Sequence, residues 1–551
     1  MWYFFIFINV FGLLEAQNFR YVPEDWYIIT KPGAITAIAE DNFNLYFTTE
    51  NGVYRYDKAR EDFQYDYTFS VQLEFPKITH FYFDSYRDYF WMVHGQGISF
   101  KSSVSTIWRD MSLMNSGLFS INEIDDIGAS PEYFWIRSGD DVFPFDPFSA
   151  TPENWDEAMD EIDFINWGHS SSGIAGENLD LFWYSMEGDW EISLGHILPN
   201  GKRDHVISNK NGIEVTVTMQ MEDSIGNLWI GTNEGYVVKG WTNSSRLTMI
   251  SIGLLTDNIL EAYFDSEENW WFADSRFKRT GLVSSFNNLY QSSRTPFISQ
   301  WNEPNNQWTY YYPNESIVIE NTDVNAILRV GSTMYFGTMS GLLYLDLYNR
   351  NWNIITAANG LNDSAVWDLI EHGGSIYVAT SNGINEISII NHNVIPDRDN
   401  RFEKLSRFNI YDMEADSQFL YLASDAGLLQ LSWNGTEIKT LSKRDLRKIR
   451  LETGNIMGTD GMLWSIYGYE DEEYISSNIQ NFDMCGSFLW SSSRNQITLT
   501  DTITARSWDY GIEDGIPGNK IYGVNCDDDW VWFLTNKGVA FYNWSRYHKK
   551  I

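Results

Sequence analysis

Chemistry in this chain could be carried by short polar side chains that stand just before apolar strands, by exposed aromatic rings, and by carboxylates. Asp257 and Asn258, Asp323 and Asn325, Asp363 and Ser364, and Gly518, Asn519 and Lys520 occupy such positions. Ringed around a channel mouth they would suit hydroxyl-rich ligands; as turn residues they would only bond backbone. Trp270, Trp530 and Tyr310 to Tyr312 are candidate stacking platforms for sugar rings, with packing between sheets as the alternative. The runs Asp527-Asp528-Asp529 and Asp397-Arg398-Asp399-Asn400 offer the oxygen ligands calcium prefers but lack a calcium-loop spacing, so no cofactor is expected. The eight histidines (80, 94, 169, 196, 205, 372, 392, 548) show no metal-ligand spacing, and no phosphate-cradling glycine loop or nucleophile elbow occurs. A glycosidase-like carboxylate pair would follow no spacing rule in so acidic a chain.

These residues need a scaffold, and a repeat supplies it. Aromatic anchors at Tyr46, Trp91, Trp135, Trp183, Trp229, Trp271, Tyr335, Tyr377, Tyr421, Trp464, Trp490 and Trp532 recur at steps of 42 to 48 positions, with two exceptions of 64 and 26. That period fits a four-stranded propeller blade. Apolar residues precede several anchors by eleven and eight positions, as Val366 and Leu369 do. A glycine follows six positions later in seven units, as a tight hairpin requires (Gly52, Gly97, Gly235, Gly341, Gly383, Gly427, Gly538). The expected fold is all-β: tandem β-propellers of four-stranded blades, eleven to twelve blades in two rings of six or seven.

The 64-residue step suggests a boundary, giving a first propeller over 18–300 and a second over 301–551. Trp26 to Thr30 is expected to complete the Trp271 blade, and Trp308 to Tyr312 the Trp532 blade, each removing an open sheet edge. For the 26-residue step, either one unit is abbreviated or Trp464 is a false match.

Met1 to Leu14 is almost wholly apolar, and Leu14-Glu15-Ala16 suits a signal peptidase, so residues 1–17 read as a signal peptide and the protein as exported, periplasmic or extracellular. No stretch has the ~20 apolar residues of a membrane span. With 75 acidic and 38 basic residues the formal charge is −37, which argues against nucleic acid and anionic lipid as partners. Cys485 and Cys526 stand at nearly equivalent places in successive units, and a disulfide or two free buried thiols both fit. Five Asn-x-Ser/Thr sites (Asn243, Asn314, Asn362, Asn434, Asn543) matter only in a glycosylating pathway.

The run Glu222-Asp223-Ser224-Ile225-Gly226-Asn227-Leu228-Trp229-Ile230-Gly231-Thr232 resembles the repeat of the two-component regulator propeller family. Asn359 to Val366 and Gly515 to Ile521 are similar to its approach segments. The resemblance covers nearly all of the chain after the signal peptide. It implies paired propellers that sense extracellular glycans, ordinarily joined to a membrane span and a histidine kinase, neither of which is expected here. The expected function is therefore non-catalytic: a glycan or protein ligand bound, or a scaffold formed, at the cell envelope. The alternatives are a propeller enzyme acting on glycans, hydrolase or lyase, and a component of a surface or secretion assembly. Oligomeric state cannot be read from the sequence.

Overall fold

The computed structural model describes residues 25–548 apart from 71–77, 106, 112, 114–119, 169–180, 198–202, 211–212, 275–297, 312–322, 434–436, 453–454, 469–470 and 494–495. The signal-peptide segment and the sites at Asn314 and Asn434 lie outside the described residues. The described strands form eleven sheets, ten of four strands and one of seven, so the chain is all-β as expected.

Each ordinary sheet is an antiparallel meander whose second strand carries the anchor. Trp91, Trp135, Trp229, Trp271 and Trp490 are fully buried. The turn before the second strand caps the anchor's polar tip: Trp229 Nε1 donates to Asp223 Oδ2 at 2.9 Å, Trp271 Nε1 to Asp265 Oδ2 at 2.8 Å, and the Tyr46 and Tyr421 hydroxyls donate to Asp41 and Asp416 at 2.9 Å. A buried indole or phenol gains from such a partner, and the aspartate five or six positions before the anchor supplies it in these four sheets, while Trp135 Nε1 uses Ser130 Oγ at 2.9 Å and Trp91 and Trp490 Nε1 are enclosed with no partner among the described residues.

A second device recurs on the innermost strand. In eight sheets the register with the second strand shifts after the first residue, between Ile35/Ala37, Ile78/His80, Val217/Met219, Ile259/Glu261, Val324/Ala326, Val366/Asp368, Ile410/Asp412 and Ile521/Gly523. This bulge re-aims the side chains beyond it. Six of the seven expected hairpin glycines have positive φ; Gly97 does not. At Gly538 (φ +120°) a Cβ would also lie 2.1 Å from Ile29 O, so the close approach of the fourth strand demands glycine as well.

Seven innermost strands pack side by side in a closed circuit: Ile259–Phe264, Val324–Val330, Val366–His372, Ile410–Ala415, Lys448–Glu452, Asn481–Cys485 and Ile521–Cys526, the last returning to the first. This is a seven-bladed propeller. Upstream, Glu214–Glu222 packs on Ile35–Glu40, which packs on Ile78–Asp84, which packs on Asp126–Ala129. The seven-stranded sheet arises because Glu214–Glu222 pairs at its start with Arg203–Asn209 and along the rest with Asn227–Thr232.

Several expectations need correction. Trp26–Ile29 pairs with Gly538–Tyr542 and completes the Trp532 sheet, while Gln307–Tyr311 pairs with Ile298–Asn302 and completes the Trp271 sheet, the reverse of the expected assignment. The reason is local: Ile298–Asn302 and Gln307–Tyr311 are joined by a short turn and form a hairpin, whereas the third strand of the Trp532 sheet runs into the helical turn Ser545–His548 and takes Trp26–Ile29 as its neighbour. The 64-residue step comes from residues 275–297, which separate the second and third strands of one sheet, and a division at 300/301 would cut the strand Ile298–Asn302. Trp183 is no anchor: it lies in a 3-10 turn, 79% exposed. Trp464 is a false match, standing on the third strand (Met462–Gly468) of a sheet with very short turns.

Candidate functional site

A cleft of about 780 Å³ opens where the Trp271 and Trp532 sheets meet and the outer strand Asp62–Tyr65 of the Tyr46 sheet approaches them. Its floor is aromatic. Trp270 packs edge-on against Trp532 (centroids 5.1 Å apart, 77° between planes) and against Phe541 (4.8 Å, 71°), and Tyr27 stacks on Trp301 (5.2 Å, 9°). Ile29, Leu534 and Ile259 continue the same core, so the floor is rigid because ring closure builds it. Trp530 is half-buried at the rim and Phe264 is 46% exposed.

The polar groups of the cleft are Arg60, Asp62, Gln64, Glu303, Asn305, Asn306 and Asp527. Trp270 Nε1 donates to Glu303 Oε2 at 3.4 Å, and Asn306 Nδ2 donates to Phe63 O, which ties the Trp271 sheet to the Tyr46 sheet. Burial, reinforced by Glu303 and Asp62, holds the Tyr27 phenol well above its ordinary pKa, so it remains a donor.

Among the described residues the Trp532 anchor is uncapped, as those of Trp91 and Trp490 are. Asp527 stands where Asp41 and Asp416 stand in their sheets and, like them, accepts two turn N–H groups at Oδ1, those of Asp529 and Trp530 (2.9 and 2.7 Å), but Trp532 Nε1 is enclosed with no partner among the described residues. Trp532 is also only half-buried where five other tryptophan anchors are fully buried. Asp62 Oδ1 likewise has no partner. Unmet polar atoms of this kind cost stability and are natural points for a ligand.

Of the expected site residues, Trp270 and Trp530 meet in this cleft, but Trp270 is only 7% exposed and serves as floor, not as an open platform. Tyr310 and Tyr311 are used in packing: their hydroxyls donate to Gly253 O at 2.9 Å and Gln300 Oε1 at 2.7 Å. The other candidates flank four consecutive innermost strands of the seven-sheet circuit, those starting at Ile521, Ile259, Val324 and Val366. Most are engaged locally. The Tyr522 hydroxyl donates to Asn258 Oδ1 (3.1 Å), Asn325 Nδ2 to Val366 O (2.8 Å), Asn382 Nδ2 to Asp363 Oδ2 (3.1 Å), and the Asn519 and Lys520 N–H groups to Asn536 Oδ1 (3.0 and 2.9 Å). Ser364 Oγ accepts the Ala357 N–H at 3.4 Å, and Asp257 Oδ1 accepts from Asn51 Nδ2 at 3.5 Å. Asp323 Oδ1 is enclosed without a partner among the described residues. Asp397 likewise caps turn amides, those of Arg401 and Phe402, both at 2.8 Å.

Sequence reasoning missed the axis of the circuit. Asp368 Oδ2 accepts the Met413 N–H (2.7 Å), Asp412 Oδ2 the Ile449 N–H (2.7 Å) and Asp483 Oδ2 the Cys526 N–H (2.9 Å), each carboxylate clamping the next innermost strand. Arg450 donates to Glu414 (3.0 Å) and Asp483 (3.3 Å). Burial raises Glu261 and Glu414 to about 7, opposed in both by Arg450. Cys485 and Cys526 form a disulfide between the last two innermost strands. Asp368 and Asp412 stand nine positions before the anchors Tyr377 and Tyr421 in successive units, a signal that could have found those two; Asp483 stands seven before Trp490 and shares no such spacing.

The fold and cleft together define an extended all-β protein of propeller sheets with an aromatic cleft beside a ring closure. No family model and no curated protein matches the chain. Among solved structures it is similar to the extracellular domain of BT4673 from B. thetaiotaomicron, described as a hybrid two-component system (12% identity, 95% of this chain and 74% of that one, TM-score 0.39). It is also similar to that of BT3049 from the same organism (13%, 95% and 84%, 0.32) and to PorZ, a surface component of the type-IX secretion system of Porphyromonas gingivalis (10%, 94% and 87%, 0.38). The fold stands on the strand pairing above, and these likenesses carry nothing about ligand. No helix among the described residues is long and apolar enough to cross a membrane.

Proposed function

We propose that this is an exported, non-catalytic binding protein of the cell envelope, and that the cleft between the Trp271 and Trp532 sheets takes a polysaccharide segment. The supporting observation is the convergence of Trp530, Trp532, Tyr27 and Phe264 with carboxylate and amide groups in one cleft of about 780 Å³. Aromatic faces stack on the apolar faces of sugar rings, while Asp62, Glu303, Asp527 and Gln64 bond the hydroxyls; the cleft is concave and built on strands, as small-ligand sites usually are.

The test is a glycan array probed with the purified secreted chain, followed by titration calorimetry. Retention of a glycan at micromolar concentration is expected. Trp530→Ala should weaken it roughly five- to tenfold, the loss of about 1 to 1.5 kcal/mol of ring stacking, without changing thermal stability. Failure to retain any glycan, or binding indifferent to Trp530→Ala, overturns the proposal.

A further inference from the structure

The Trp135 sheet departs from the repeat in a way that leaves an edge open. Its strand order is Asp141–Phe145, Phe134–Ser138, Asp126–Ala129, Asn166–Trp167, so the last strand joins the innermost strand and not the third. Gly128 permits this, since a Cβ there would lie 2.6 Å from Asn166 O. Among the described residues the outer side of Asp141–Phe145 is covered at one end only: Glu153 N–H donates to Pro144 O and Asp146 N–H to Thr151 O, both at 2.9 Å. The chain then leaves through the helical turn Trp155–Ala158, capped by Asn154.

Val142 faces this gap with its backbone. Its partner Arg137 turns its carbonyl to the opposite side, where Asp125 N–H donates to it at 2.8 Å, so the N–H and C=O of Val142 point away from the sheet. No described residue bonds to them. Beside them lies a groove of about 460 Å³ lined by Asp140, Val142, Phe143, Pro152, Glu153 and Trp155. Phe148 and Phe164, in the same connection, are 64% and 62% exposed. From Ser138 to Gly168 there is no lysine, arginine or histidine, while Asp140, Asp141, Asp146, Glu153, Asp156, Glu157, Asp160, Glu161 and Asp163 are all acidic.

We propose that this edge docks an extended segment of a partner protein in which lysine or arginine alternates with apolar residues, added as the missing outer strand beside Asp141–Phe145. An open edge selects a strand, because only main-chain groups in register can bond Val142. The surrounding carboxylates select a basic strand and reject acidic ones, including other copies of this chain. Phe143 and Trp155 receive the apolar side chains that fall on the groove side.

The experiment uses the secreted chain and three labelled decapeptides: alternating lysine and valine, alternating glutamate and valine, and the lysine peptide with a central proline. Fluorescence anisotropy should show the lysine peptide binding at micromolar concentration, at least tenfold more tightly than the other two. Hydrogen exchange should show protection appearing at residues 141–143. Asp140→Asn with Asp141→Asn and Glu153→Gln should weaken binding at least tenfold, and Trp155→Ala several-fold; these surface changes leave the fold intact by circular dichroism. Any of the following overturns the proposal: no binding, equal binding of the glutamate or proline peptide, affinity unchanged in the triple variant, or protection elsewhere. Protection of residues 141–143 that grows with protein concentration alone, as in a dimer, also overturns it.

Discussion

Five sheets of the seven-sheet circuit and three of the four sheets from Ile35 to Ile250 use the same backbone bulge and place different chemistry just beyond it. In those three sheets the residues there are Ala37, His80 and Met219; in the circuit they are Glu261, Asp368 and Asp412, together with Ala326 and Gly523. The contacts between innermost strands follow suit. The circuit is clamped by buried carboxylates that accept main-chain N–H groups, by Arg450 and by a disulfide, whereas the four sheets rely on an apolar core running from Met219 and Trp229 through Phe47 to Phe81 and Phe90, with Thr218 Oγ1 donating to Ile35 O at 2.7 Å. A circuit that is closed by a strand from the far end of the chain gains most from directional links, because each fixes the angle between neighbouring sheets.

The largest effect that should separate the two regions comes from that closing strand. Trp26 is buried, stacks on Tyr542 at 4.6 Å, and stands beside Asp25, which bonds Arg546 and Tyr547. Trp26→Ala should cost about 3–5 kcal/mol, the usual loss for emptying a large aromatic site. Hydrogen exchange should rise across the Trp490 and Trp532 sheets and remain unchanged in the sheets of Tyr46 and Trp91. Uniform loss of protection in both regions would mean that they unfold as one unit.

A middle-sized effect should come from the disulfide, whose cysteines are 41 residues apart. Cys485→Ser with Cys526→Ser should lower stability by about 2–4 kcal/mol, again within the circuit. Asp483→Ala adds a comparable test of directionality, since it leaves the Cys526 N–H without its acceptor and Arg450 without one partner; about 1–3 kcal/mol is expected in chemical denaturation.

What the sequence discloses follows from how local each feature is. The anchors, the hairpin glycines and the apolar start of the innermost strands are properties of single units, and they locate most of the sheets. Ring closure is not local: Trp26 to Thr30 and Trp308 to Tyr312 carry nearly the same outer-strand pattern, and what decides their sheets is which third strand lacks a neighbour. Residues 275–297 hide that fact by separating Asn269–Asp274 from Ile298–Asn302. The cleft was half legible, through Trp270 and Trp530, because aromatic residues beside a polar turn are visible in a linear sequence; the convergence of Tyr27 and Asp62 on the same place depends on ring closure and on the approach of a distant sheet.

The smallest effect would sharpen the comparison most, because it reverses sign between the axial carboxylates of the circuit and the buried histidine of the Trp91 sheet. Glu261 ordinarily titrates near 4.5 and is raised to about 7 by burial, with Lys448 and Arg450 opposing and Asp412 adding to the rise. The folded circuit therefore holds this proton more tightly than the unfolded chain does, so the contribution is full below about 4.5 and is lost as pH rises through 7. Glu414 behaves in the same way. His80 is the opposite case: burial lowers its pKa from 6.5, so the folded Trp91 sheet favours the neutral ring and loses stability as pH falls below that value. Between pH 8 and 5.5 the sheets of Glu261 and Glu414 should gain stability while the Tyr46 and Trp91 sheets lose some, and the gain should be offset around His548, whose pKa burial lowers to about 4. The divergence is readable by hydrogen exchange at the two pH values after correction for intrinsic rates. Glu261→Gln should remove about 1–2 kcal/mol of the circuit's dependence and leave that of the other sheets intact. An unaltered slope in the circuit would mean that the axial carboxylates are solvated enough to titrate normally, and that their role is confined to the backbone clamps.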